Sequence, residues 1–109
     1  MPARFVYVTC KDREQARAIG KTVVRERLAA CANLFDGMES IYWWEGEVEV
    51  ASECVLILKT TELLVERVVD AVKAAHSYDV PCVVALPIVA GNQDYLDWLC
   101  RETGGGTQS

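Results

Sequence analysis

Three stretches of the chain carry residue types that can do chemistry: Cys10-Lys11-Asp12, Tyr42-Trp43-Trp44-Glu45-Gly46 and His76-Ser77-Tyr78-Asp79-Val80-Pro81-Cys82. Between them they hold the single histidine, two of the five cysteines, several carboxylates and the densest aromatics. Thiolate and imidazole together suit a soft or borderline metal such as copper or zinc, with carboxylates completing the shell. Cys10 and His76 are then the expected ligands, and Asp12, Glu45 and Asp79 the supporting carboxylates. No two of these residues stand at a chelating spacing, so the site exists only if the fold gathers them. Each also has a plainer reading. Cys10 and Cys82 suit small core positions, His76 a cation stabilised at a helix end, and Glu45 and Asp79 ordinary solvated charge.

The parts of other machineries are missing. There is no Gly-x-Ser-x-Gly elbow and no Gly-rich phosphate loop ahead of a helix, and a single histidine cannot build a histidine metal centre. The expectation is a protein that is not an enzyme. A net charge of −5 and a pI near 4.8 leave no basic stripe for a phosphate backbone, which argues against a nucleic-acid partner. Glu45, Glu47 and Glu49 surround the aromatics where an RNA-binding sheet would carry basic residues. No apolar run approaches the roughly 18 residues of a membrane span, and no leader pattern follows Met1-Pro2-Ala3, so the expected location is cytoplasmic, away from membranes. Five scattered cysteines without a Cys-x-x-Cys pair fit a reducing compartment.

The elements that must position these residues follow from periodicity. Phe5 to Cys10 is a continuous β-prone run, predicted to be a strand buried on both faces. Asp12 and Gln15 have capping-box spacing, and Ala16, Ile19, Val23 and Leu28 lie along one helical face. Cys31 to Trp44 reads as a second strand with an irregularity near Asp36-Gly37, Glu45-Gly46 as a tight turn, and Glu47 to Lys59 as a third strand. Thr61 is the expected cap of a second helix through Ala75, with Val65, Val68, Val72 and Ala75 in a stripe. A fourth strand runs from Cys82 to Val89, and Pro87 confines it to an edge or a strand end. Gly91-Asn92 opens a short terminal helix carrying Tyr95, Leu96, Trp98 and Leu99. Residues 1–103 form a single domain, and Gly104 to Ser109 a flexible tail.

The order βαββαβ predicts an α+β fold, the ferredoxin-like sandwich with the first and third strands central. In that topology the three chemistry-bearing stretches converge on one edge. A strand of about 13 residues spans roughly 40 Å and a 16-residue helix about 24 Å, so the hairpin of the second and third strands must overhang the helices. Trp43 and Trp44 point to opposite faces of that hairpin, and one layer of helices can cover only one. Self-association into a closed ring is the economical cover, with Tyr42, Trp43, Trp44, Tyr78 and Trp98 at the interface or its cleft.

These segments resemble the CutA divalent-cation-tolerance family over nearly the whole chain. The resemblance runs through Val8-Thr9-Cys10, Arg27-Leu28-Ala29-Ala30-Cys31-Ala32-Asn33, Ser40-Ile41-Tyr42-Trp43-Trp44-Glu45-Gly46 and Leu58-Lys59-Thr60. It continues in His76-Ser77-Tyr78-Asp79-Val80-Pro81, Ala85-Leu86-Pro87-Ile88, Gly91-Asn92 and Tyr95-Leu96-Asp97-Trp98-Leu99. It implies a homotrimer of ferredoxin-like subunits, similar to the PII signalling proteins, with a role in tolerance to divalent metals. Copper or another divalent cation is the implied partner. Ser77 replaces a proline common after the family histidine, and Cys82 stands where an acidic residue is usual. The alternative expectation is a PII-like signalling scaffold, in which a cleft walled by Tyr42, Trp43 and Tyr78 takes a small metabolite or a partner protein.

Overall fold

The structure is a computed structural model that describes residues 2–104. Its elements are β1 (Ala3–Cys10), α1 (Arg13–Arg25), β2 (Cys31–Trp44), β3 (Glu47–Thr61), a 3-10 turn (Glu62–Leu64), α2 (Val65–Ala75), β4 (Val83–Pro87) and α3 (Gln93–Arg101). All strand pairs are antiparallel in the order β2-β3-β1-β4. The ferredoxin-like arrangement is therefore present, with the two continuous apolar runs in the centre and the proline-bearing strand at an edge.

Period-2 alternation sorts the central strands into two faces. Val6, Val8 and Cys10 of β1 stand beside Cys54, Leu56 and Leu58 of β3 and pack against Ala16, Ile19 and Val23 of α1 and Val68 and Val72 of α2. α1 lies so close to the sheet that a Cβ on Gly20 would sit 3.1 Å from the Ala32 Cβ, which explains a glycine within a helix. Phe5, Tyr7, Val55, Ile57 and Lys59 take the opposite face. The Lys59 ammonium lies 5.8 Å from the Phe5 ring and 5.6 Å from the Tyr95 ring, which places α3 on this second face.

Local chemistry sets the boundaries. The Asp12 carboxylate caps α1 by accepting from the Gln15 N–H at 2.8 Å, and the Gln15 side-chain oxygen accepts from the Lys11 N–H at 3.0 Å. Thr61 does not act as the expected cap: no hydrogen bond from its side chain engages the turn, and Glu62–Leu64 intervenes before α2. The buried stripe of that region is Leu64, Val68 and Val72, while Ala75 is exposed. β4 is shorter than expected, because beyond Pro87, which has no N–H, only the Ile88 N–H still bonds to the Ala3 carbonyl, at 3.1 Å. Gly104, assigned from sequence to the tail, donates to the Arg27 carbonyl at 2.8 Å and so belongs to the fold. The rest of that tail lies outside the described residues.

The irregularity expected near Asp36-Gly37 is a β-bulge. Phe35 pairs with Val55 and Met38 with Glu53, so β2 advances three residues while β3 advances two. Gly37 adopts φ 78°, and its N–H donates to the Asp36 carboxylate at 2.9 Å. Beyond the bulge Tyr42 and Trp44 share the face of Glu53, whereas Ile41 and Trp43 share the face of Cys54. The hairpin closes through Glu45 and Gly46, both at positive φ, as a two-residue loop matched to strand twist requires. The helices do not reach this far. Ile41 is 67%, Trp43 75%, Val48 55% and Val50 60% exposed, so the overhang inferred from element lengths is real.

Candidate functional site

α2 ends at His76, where the chain turns extended (φ −85°, ψ 149°) and crosses the end of β1. The His76 Nε2 lies 2.8 Å from the Thr9 carbonyl, and the Tyr78 N–H donates to Nδ1 at 3.1 Å. A carbonyl only accepts and an amide N–H only donates, so the ring is neutral with its proton on Nε2. The Gln15 amide donates to the Ser77 hydroxyl at 2.8 Å, tying the same loop to α1. With the loop so fixed, the Tyr78 hydroxyl donates to the Glu53 carboxylate at 2.7 Å. Glu53 is 8% exposed, the one buried carboxylate among the described residues. Burial, followed by the bond to Glu53, pushes the Tyr78 phenol well above its ordinary range.

Beside this pair lies a cleft of about 590 Å³, walled by Tyr7, Tyr42, Trp44 and Val80 and edged by Thr9, Asp79 and Cys82. Its walls are apolar and aromatic, with a few polar groups converging at one end, the usual composition of a small-ligand site. Tyr42, Trp44 and Tyr78 line this cleft. Trp43 stands on the other side of the hairpin, and Trp98 packs against Tyr95 on α3, ring centroids 5.5 Å apart.

The expected metal ligands are not gathered within one chain. Cys10 is fully buried on the helix-covered face, opposite the cleft, with its thiol pushed up to about 12 by burial and then by the nearby Cys54, Glu53 and Asp12. His76 uses both ring nitrogens in the hydrogen bonds just described. An Asp12 oxygen caps α1. Glu45 sits at the hairpin turn, roughly 20 Å along β3 from Glu53 at 3.3 Å per residue. Only Asp79 reaches the cleft, with Cys82. Among the described residues no three His, Cys, Asp or Glu side chains group closely enough to hold a metal ion. One chain by itself does not fit a divalent cation, which needs more ligands than it gathers here. Sequence reasoning passed over Glu53. Its signal was a carboxylate set directly against the apolar run Cys54 to Leu58 of β3.

Three comparisons place the chain among known proteins. The sequence profile of the CutA1 divalent ion tolerance protein matches residues 4–102. The "Divalent-cation tolerance protein CutA" of Thermus thermophilus is 50% identical over 99 residues, covering 91% of this chain and 96% of that protein. "Protein CutA 1, chloroplastic" of Oryza sativa is 47% identical over 103 residues, and this chain spans 58% of that protein's length. The crystal structure of CutA1 from Oryza sativa superposes with a TM-score of 0.93 at 46% identity, covering 95% of each chain. Matches so extensive in sequence and in backbone make this chain a member of the CutA1 divalent ion tolerance family.

Proposed function

We propose that the protein serves divalent-cation tolerance as a non-enzymatic homotrimer, and that its working site is the Glu53–Tyr78 cleft completed by a neighbouring chain. The observation that carries this reading is the hairpin wall of the cleft, which one chain leaves uncovered on both faces. Phe35, Val84 and Leu86, 60%, 50% and 46% exposed, continue the apolar surface across the face opposite α1 and α2. Covering each such side chain is worth about 1.5–3 kcal/mol, and a closed ring covers them without leaving a growing end. Glu53, Asp79 and Cys82 line the cleft, but among the described residues no three such side chains group closely enough to hold an ion, so a divalent cation, copper foremost, binds where a second chain adds ligands. The relatives' names support the tolerance role, and a reducing cytoplasm suits cysteines that form no disulfide.

Light scattering tests the assembly, with a mass about three times the 12.1 kDa chain expected. Calorimetric titration of metal-free protein with Cu(II) and Zn(II), beside a Trp43→Glu/Val48→Glu double variant, tests the site. The variant is expected to run as a single chain and to lose binding. A wild-type mass of one chain, or undiminished divalent binding by a monomeric variant, would overturn the proposal. The cleft's volume favours a second reading, since it falls within the roughly 300–1,000 Å³ of small-molecule sites. In that reading a small metabolite or a partner segment occupies it, and ligand binding to the cation-free trimer distinguishes the two.

A further inference from the structure

Cys10 and Cys54 are directly opposed residues of adjacent antiparallel strands, and both side chains point to the helix-covered face. Both are fully buried free thiols. Directly opposed residues have Cβ atoms about 4.5–5.5 Å apart. The Cys54 thiol makes one weak bond, to the Val55 carbonyl at 3.8 Å, and the Cys10 thiol finds no acceptor among the described residues. At the end of β1 opens a cavity of about 370 Å³, edged by Asp12, Glu14, Asp36 and Glu53 against Lys11 and Arg13. The cavity is lined by the residues that adjoin each thiol in the chain, Lys11 after Cys10 and Glu53 before Cys54.

We propose that Cys10 and Cys54 form a two-coordinate site for a soft monovalent cation such as Cu(I), reached through the acidic cavity at the end of β1. Thiolates select soft ions, and two donors on one rigid sheet supply a two-coordinate ion but not a tetrahedral one. Metal–thiolate bonds of about 2.3 Å set in line place the sulfurs roughly 4.6 Å apart, which suits opposed strand positions. Each thiol gives up its proton to solvent, two metal–sulfur bonds form, and the site passes from neutral to a single negative charge with no change of oxidation state. Burial keeps the empty pair protonated and inert, so the site discriminates against ions that bind thiolate weakly. This site lies within one chain and on the opposite face of the sheet from the cleft, so it does not depend on the assembly proposed above.

The test uses reduced, oxygen-free protein titrated with Ag(I) as a redox-inert probe and with Cu(I) against a chromophoric Cu(I) chelator. One ion per chain is expected, with two sulfur neighbours by X-ray absorption. Cys10→Ala and Cys54→Ala should each weaken retention at least about 100-fold, while Cys31→Ala and Cys82→Ala should bind as wild type. The Trp43→Glu/Val48→Glu variant should retain this ion even where it loses divalent binding, which separates the two proposals. If Cys54→Ala fails to fold, Cys54→Val restores β-propensity and bulk without a sulfur. Wild-type retention by either Cys54 variant, or nitrogen and oxygen neighbours in the absorption spectrum, would overturn the assignment.

Discussion

Burial of Cys10 has a measurable consequence at alkaline pH. An exposed cysteine thiol ionises near 9.0, whereas folding lifts Cys10 to about 12. Below pH 9 both folded and unfolded chains keep the proton, and the stability linked to this thiol is fully present. Above it the unfolded chain releases the proton while the folded chain holds it, so stability falls by about 1.4 kcal/mol per pH unit until the folded thiol also ionises near pH 12. At pH 10 the loss from Cys10 is about 1.4 kcal/mol, against almost nothing at pH 8. The perturbation is Cys10→Ala, which removes the ionisable group and leaves the other titrating groups in place. Urea unfolding at both pH values, in reductant and at one protein concentration, should show wild type losing about 1.4 kcal/mol more than the variant. With an m value of about 1–2 kcal/mol/M, the midpoint should move by roughly 0.7–1.4 M more in wild type. The constant packing cost of the alanine cancels in the comparison. Equal losses in the two proteins would refute the argument that the fold holds this thiol buried and protonated.

Other expectations test the fold and the cleft. Gly20→Ala pushes a methyl to 3.1 Å from the Ala32 Cβ and should cost about 1–3 kcal/mol, read as a lower melting temperature. Thr60→Val removes the 2.6 Å bond from the Thr60 hydroxyl to the buried Leu28 carbonyl and should cost about 1–3 kcal/mol by chemical denaturation. Tyr78→Phe should abolish the latest phenol in a spectrophotometric titration of the four tyrosines, because burial and Glu53 hold Tyr78 in its protonated form.

The fold was largely legible in sequence because its determinants are local. The continuous runs Phe5 to Cys10 and Cys54 to Leu58 marked the central strands, Pro87 marked an edge, and Gly37 marked the bulge. The site was legible only in part, because it depends on register and on loop crossing. Nothing in the 44-residue separation of Cys10 and Cys54 shows that they stand opposite one another; the β1–β3 register does. Glu53 looks like a solvated strand residue until the His76–Pro81 loop crosses the sheet and sets the Tyr78 hydroxyl on its carboxylate. His76 looked like a ligand or a helix-end cation, and two hydrogen bonds make it instead a neutral brace for that loop. Topology alone groups Glu45 with the other carboxylates, because β2 ends at the edge where β1 ends, but the length of the hairpin carries it away from them.

The bulge at Asp36-Gly37 reconciles the outer half of the hairpin with its base. Strand parity is inherited from residue to residue, and one extra residue on β2 inverts its odd-even count beyond that point. With the Glu45-Gly46 turn holding Trp44 opposite Glu47 and Trp43 opposite Val48, a chain one residue shorter at this point would pair without a bulge and keep both tryptophans on their present faces. The surface offered to a neighbouring chain is thus set by the turn and the uninterrupted β3, and the bulge takes up the one residue of β2 that this pairing leaves over. A change in length there would be absorbed where it occurs and leave the address of the tip as it is.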